Sequence, residues 1–202
     1  MPHPVTESSL TDDPLRAVDW PVRTERLLLR RTTAADIDAM WEFRRLPDVG
    51  MWIGGAPDTF EGHRARMRRR ASSLVTVALP GDGGDDTVIG ELMIRIEDGW
   101  AQAEVAAAAR GVQAEVGWSL DPAFQGRGYA TEAVRAAIDL CFGPLGLRRV
   151  QANCFAANEP SWRLMERLGM RREAHTIKDS LHRSGEWMDG FTYALLAEEW
   201  NR

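Results

Sequence analysis

Lysine is almost missing from this 202-residue chain: Lys178 is the only one. A Walker-type phosphate loop needs a lysine after its second glycine and then Ser or Thr, so that motif is excluded. Cysteine is equally scarce. Cys141 and Cys154 cannot build a disulfide framework, no His/Cys group has zinc-ligand spacing, and the expected setting is a reducing cytoplasm with no metal. Nowhere do about eighteen apolar residues run together, and the first residues, with His3, Glu7, Asp12 and Asp13, have no apolar core. Neither a membrane span nor a signal peptide is expected. Positive charge is not in excess either. The formal net charge of −5 argues against a general nucleic-acid binder, whose affinity rests on a basic surface.

What the chain does have is 44% hydrophobic and 27% charged residues, a balance that suits one globular domain with a full-sized core. Residues 1–20, rich in Pro, Ser, Thr and Asp and without periodicity, read as a loose tail ahead of a domain over 21–202. Thr24 to Arg31 reads as a strand. Thr33 then caps a helix carrying Ile37, Met40, Trp41 and Arg44 at one helical spacing. Pro47 to Pro57 reads as a loop, yet it holds Met51, Trp52 and Ile53, which either meet a ligand or pack on the core. Thr59 to Ser73 reads as a helix dense in arginine (Arg64, Arg66, Arg68, Arg69, Arg70). Such a run is ordinarily a solvated face, with an acidic partner such as RNA as the alternative. Leu74–Leu79 and Val88–Ile96 read as a hairpin, Ala101–Ala108 as a loop or hairpin arm, and Gln113–Leu120 as a central strand stopped by Asp121-Pro122. Then come a helix ending at Phe142, a strand over Arg149–Phe155 and a helix from Glu159 to Leu168 with Asn158 and Gly169 as its caps. Strands Arg171–Ile177 and Phe191–Leu196 close the chain, joined through a polar stretch with His182, Gly185 and Trp187.

The stretch Gln125-Gly126-Arg127-Gly128-Tyr129-Ala130-Thr131-Glu132 stands between the central strand and a helix with Ala133, Val134, Ala137, Ile138 and Cys141 on one face. Two glycines let the backbone take positive φ and approach a ligand, and the helix start offers unpaired N–H groups, so a pyrophosphate fits. A tight turn needing glycine for geometry alone is the alternative. A dinucleotide fingerprint is only weakly matched, because Thr131 stands where its third small residue belongs and the next strand ends in Asn153 and Cys154 rather than an acid.

What remains is Gln-x-x-Gly-x-Ala at Gln125, Gly128 and Ala130, with Ala114 to Pro122 before it and Asn158 to Met170 after it. In this order and spacing the chain, from about Thr24 to Leu196, resembles the GNAT superfamily of acetyl-CoA-dependent N-acetyltransferases. Within it, the resemblance is to the branch similar to RimJ and RimL, enzymes acting on ribosomal-protein N-termini. The resemblance implies an α/β (mixed α+β) single-domain fold, a twisted mixed sheet of about seven strands flanked by about four helices. It also implies that the central strand splays from its neighbour after Glu115, that Trp118, Ser119 and Leu120 bind the pantetheine arm, and that Gln125 to Thr131, with the charge of Arg127, hold the pyrophosphate. Asn153 and Asn158 would hold pantetheine amides.

Acetyl transfer from a thioester to an amine needs a base for the ammonium, a polarised carbonyl and a proton for the thiolate. Glu115 is the first candidate base and Glu91, expected on the neighbouring strand, the second; each could instead be a carboxylate paired with an arginine. Many members carry a tyrosine acid in the Asn-led helix, but Met165 occupies that place here. Ser161, three residues after Asn158, is the replacement donor, or a helix cap. The acceptor, a protein N-terminus or a small-molecule amine, is expected to enter between the Trp52 loop and the Trp187 region. A non-catalytic acyl-CoA-binding module and a ribosome or RNA adaptor are the competing classes. Monomer and homodimer both remain open.

Overall fold

A computed structural model describes residues 13–56 and 58–200. In it β1 (Val22–Arg23), β2 (Leu28–Arg31), β3 (Leu74–Leu79), β4 (Thr87–Glu97), β5 (Gln113–Leu120), β6 (Arg149–Phe155), β7 (Arg171–Leu181) and β8 (Trp187–Leu196) form one sheet. Its order is β1-β2-β3-β4-β5-β6-β8-β7, antiparallel throughout except for the parallel β5–β6 pair. The helices are α1 (Ala34–Arg44), the single turn α2 (Pro47–Gly50), α3 (Phe60–Arg69), α4 (Tyr129–Phe142), α5 (Glu159–Arg167) and the single turn α6 (Ala197–Trp200). The mixed α/β class expected from the sequence is what forms, with eight strands rather than seven.

The strand pattern explains the layers. Leu92, Ile94, Ala114, Val116 and Leu120 turn to one face and bury against Val134, Ala137, Ile138 and Cys141 of α4, forming the main core. On the other face a smaller core gathers Ile37, Met40 and Phe43 of α1, Met67 of α3 and Leu74. α1 starts where the sequence predicts: Thr33 Oγ1 accepts from Asp36 N–H at 3.2 Å, while Asp36 Oδ2 accepts from Thr33 N–H at 2.8 Å, a reciprocal capping box.

The decisive feature is a fork. β5 pairs with β6 only over Gln113–Glu115 against Arg149–Gln151, although β5 runs on to Leu120 and β6 to Phe155. Each strand is fully paired on its outer edge, β5 to β4 and β6 to β8. Beyond Glu115 the two inner edges therefore open as a wedge, as the resemblance implied, with main-chain donors and acceptors turned into it.

Several expectations need correction. The loose tail over residues 1–20 lies outside the described residues up to 12, but from Asp13 on it is anchored. Leu15 and Val18 are buried in the main core, Trp20 Nε1 donates to Leu15 O at 2.8 Å, and Asp13 pairs with Arg31. The apolar residues of this stretch are too few to make a periodic signal. The strand expected over Thr24–Arg31 begins only at Leu28: residues 24–27 form the turn of the β1–β2 hairpin, from which Thr24 and Arg26 bind Glu132 of α4. The last hairpin extends to Leu181 and back from Trp187. Its outer strand is at the sheet edge and largely exposed, so backbone pairing, not an apolar pattern, defines it. Ala101–Ala108 is no core helix, as expected: Ala103–Ala109 forms exposed 3-10 turns between β4 and β5.

Candidate functional site

A cleft of about 1080 Å³ runs along the fork and continues across the α1/α3 face of the sheet. One wall is β5 from Glu115 to Leu120, the other carries Asn153, Cys154, Asn158 and Ser161, and Gln125 to Thr131 close one end apart from Arg127. The glycines of that loop are needed for conformation: Gly126 has φ +74° and Gly128 +82°, left-handed values that other residues rarely take. Gly128 caps α4 without any side-chain bond, so the first N–H groups of the helix are not covered by a capping side chain. A Cβ at Gly126 would meet no protein atom, and one at Gly128 only Arg26 Nη2 at 3.4 Å; the loop's backbone faces outward rather than into packing. The open backbone and uncapped helix start suit an anion cradle, while the positive φ values alone would equally suit a turn that needs glycine for geometry.

Arg127, expected to add charge to the cradle, instead places its guanidinium over the Phe124 ring and is not part of the cleft lining. The loop is braced by a residue that the sequence reading did not single out. Arg26 donates from Nη1 to Arg127 O at 2.9 Å, lies over the Tyr129 ring and pairs with Glu132. Burial raises the Glu132 carboxyl, but bonds from Thr24 Oγ1 and from the backbone and guanidinium of Arg26 outweigh it, leaving its pKa below the ordinary value. With about a hundred residues between Arg26 and the loop, no local pattern could have shown this clasp.

Asn158 stands at the N-cap of α5 but makes no side-chain cap bond, contrary to its expected role, so its amide is left to the cleft. On the same wall, Asn153 Oδ1 accepts from Thr192 Oγ1 at 2.8 Å. The Ser161 hydroxyl bonds toward Cys154, whose thiol is pushed up to about 11, mainly by burial. The two tyrosines are placed differently. Tyr129 begins α4, and Tyr193, fully buried, donates to Glu166 at 2.9 Å, with burial first and then that carboxylate raising its pKa to about 12. Met165, in the place of the usual tyrosine, is buried in the main core.

Both candidate carboxylates line the cleft on the α1/α3 face. Glu91 is buried between β4 and α1, ion-paired with the equally buried Arg44 and accepting from Ser119 Oγ at 3.2 Å. Its Oε2 has no hydrogen-bond partner and is buried, as is Arg44 Nε. Glu115 sits at the apex of the fork and pairs with Arg95, whose side chain is half exposed. Opposite Ser119 and Arg95 in the strand register, the two carboxylates are separated by four residues along the sheet, roughly 13 Å. Arg44 lies on the apolar stripe of α1, which was the one signal in the sequence that it faces inward.

The arginine run of α3 is not the solvated face that the sequence suggests. Arg68 and Arg69 are exposed and Arg64 pairs with Asp38, but Arg66 and Arg70 line the cleft. Trp52 also lines the cleft, packed on Phe155 and His182 with ring centroids 6.2 and 5.8 Å away. Its loop is tied to the β7–β8 turn by His182 Nε2–H donating to Met51 O at 2.9 Å and Arg183 Nη2 donating to Ile53 O at 2.8 Å. The early loop and the final hairpin thus converge, but through His182 and Arg183. Trp187 is 57% exposed and outside the cleft lining. Among the described residues no group of three His, Cys, Asp or Glu side chains is placed to hold a metal, and no helix is long and apolar enough to cross a membrane.

Comparison with known proteins agrees with this geometry. The family described as acetyltransferase (GNAT) domain matches residues 26–171. The chain is similar to the uncharacterized N-acetyltransferase YnaD of Bacillus subtilis (strain 168), 32% identical over 181 residues that cover 89% of this chain and 99% of that protein. A [ribosomal protein uS5]-alanine N-acetyltransferase of Escherichia coli (strain K12) is 34% identical over 85 residues, 42% of this chain and 43% of that one. The crystal structure of a GNAT-family acetyltransferase from Bacillus anthracis superposes with a TM-score of 0.73 at 30% identity, covering 89% of this chain and 99% of the other.

Proposed function

The chain belongs to the acetyltransferase (GNAT) domain family and is an N-acetyltransferase, and on that premise we propose that it moves the acetyl group of acetyl-CoA directly to a primary amine bound in the same cleft. The fork between β5 and β6 carries this reading. It joins an unpaired strand edge, a glycine cradle at a helix start and a pair of carboxylates in one continuous cavity. In this reading the pantetheine arm lies along Trp118, Ser119 and Leu120 like an added strand, with Asn153 and Asn158 reaching it from across the wedge. Gln125, Gly126, Gly128, Tyr129, Ala130 and Thr131 hold the pyrophosphate, mostly by main-chain N–H groups.

An amine is mostly protonated at neutral pH, so a proton must leave before nitrogen can attack. Glu115 takes that proton, directly or through water; the C–N bond then forms and the C–S bond breaks. Ser161 donates a hydrogen bond to the departing sulfur, and the second proton lost by the acylated nitrogen is relayed through water to the thiolate. Glu115 is preferred to Glu91 because its partner Arg95 is half exposed and easily displaced, whereas Glu91 is locked between Arg44 and Ser119. The similarity to the uS5-alanine acetyltransferase, limited to less than half of each chain, makes a protein N-terminus one acceptor to test.

The test is turnover of acetyl-CoA by the full chain against a broad panel of amines and peptides, followed by thiol release and product mass. Expected is acetylated product that depends on Glu115. Tight acetyl-CoA binding with no product from any amine would instead support an acyl-CoA-binding module.

A further inference from the structure

The end of the cleft away from the cradle holds more positive charge than its carboxylates match. Arg44, Arg66, Arg70 and Arg95 line it, against Asp48, Glu91 and Glu115. Arg44 is committed to Glu91 and Arg95 to Glu115, and Asp48 is exposed. Arg66 and Arg70 have no carboxylate partner among the described residues. Arg66 Nη2 donates only to Gly54 O at 3.1 Å while its Nε is buried without a partner, and Arg70 Nη2 reaches Met93 Sδ, a weak acceptor, at 2.9 Å.

Two guanidiniums one helical turn apart repel each other, and partial burial strips their hydration. Burial, followed by Arg70, Arg44 and Arg69, lowers the pKa of Arg66, with Glu91 opposing. Such an arrangement costs stability unless an anion completes it. An arginine pair is suited to that task, because its fork of donors binds a carboxylate or phosphate-type group in two places. Both side chains are on the sheet face that carries Glu91 and Glu115, where the amine has to arrive.

Resting on the acetyltransferase reading, we propose that the acceptor is an amine whose own skeleton carries an anionic group, and that Arg66 and Arg70 bind this group while the amine is presented to the carboxylates. A polyamine would bring positive charge to the same guanidiniums and is disfavoured.

The test measures kcat/KM of the full chain with acetyl-CoA for ω-aminocarboxylates of increasing chain length, the matching aminoalkylphosphonates, the uncharged carboxamides and the α,ω-diamines. Peptide pairs differing only by Glu or Gln near a free N-terminus separate a peptide source from a small molecule. Expected is a preference of at least about tenfold for the anionic member of each accepted pair. Arg66→Gln and Arg70→Met should reduce that preference about tenfold through the acceptor KM, leaving acetyl-CoA affinity unchanged. Gly55→Ala, whose new Cβ would overlap the Arg66 guanidinium, should do the same without removing a charge. Equal or better use of diamines or carboxamides overturns the proposal and leaves acetyl transfer standing, as does an anion preference untouched by all three substitutions. Bound acetyl-CoA with no turnover of any amine overturns acetyl transfer, and this proposal with it.

Discussion

Glu91 and Glu115 face the same cleft, yet the groups around them assign opposite consequences to the same substitution. Glu115→Gln removes a proton acceptor from a partly exposed pair. It should lower kcat about 10²- to 10⁴-fold with acetyl-CoA affinity and thermal stability nearly unchanged, as single-turnover kinetics and calorimetry would report. A near wild-type rate would remove Glu115 as the base. Glu91→Gln leaves the Arg44 guanidinium buried with no counter-charge and should cost about 3–5 kcal/mol in denaturant unfolding. Ser161 is decided the same way: Ser161→Ala should slow the chemical step more than it weakens acetyl-CoA binding, and a normal single-turnover rate would reduce it to a surface of the wedge. At this scale the sequence named Glu115 by its place on the strand entering the glycine loop, Glu91 by its expected place on the neighbouring strand and Ser161 by its spacing from Asn158. It could not tell that one glutamate is locked by Arg44, since that pairing joins residues 47 positions apart.

The loop-helix element owes its shape to two left-handed glycines and its position to Arg26. In Gly128→Val a branched side chain must adopt φ near +82°, which costs on the order of 1–2 kcal/mol, and it crowds Arg26 beside the helix start proposed to hold the phosphate. The folded variant should lose the thermal stabilisation that coenzyme A gives the parent protein; unchanged affinity would remove the cradle from the mechanism. The β7–β8 hairpin supplies a separate check on element stability. Arg149, and then Arg171, hold the Glu173 carboxyl at about 2 against the opposing effect of burial, compared with an ordinary 4.5. A depressed carboxylate stabilises the fold fully above its unfolded pKa and loses that contribution as pH falls toward its folded one. Glu173→Gln should therefore flatten the decline in stability between about pH 4.5 and pH 2, by no more than about 1 kcal/mol because the pair is partly exposed. Urea unfolding across that range would measure it, and an unchanged acid limb would refute it. The cradle was legible because glycine at a strand-to-helix turn is a local signal. The full length of β7 was not, because an exposed edge strand needs no apolar alternation.

For the whole molecule, the end of the cleft proposed to take the acceptor is walled by the early loop, which the last hairpin holds in place through His182 and Arg183. Trp52→Ala should raise the acceptor KM several-fold and leave acetyl-CoA affinity alone, since Trp52 fills the wall with Phe155 and His182. Trp187→Ala, on an exposed ring outside the lining, should change neither. Steady-state kinetics on both variants separates the two tryptophans, which the sequence had treated as equals. By itself the sequence determined the features that repeat locally: strand alternation, helix caps, the glycine cradle, and the ordered motifs that identify the family. The family resemblance already implied the fork beyond Glu115, but only the tertiary structure decided the Arg26 clasp, the buried Arg44–Glu91 pair and the turning of Arg66 and Arg70 into the cleft. Each of these depends on which edge, face or loop is left over once the sheet has paired and the cores have closed. That remainder is a property of packing, and no stretch of the chain encodes it alone.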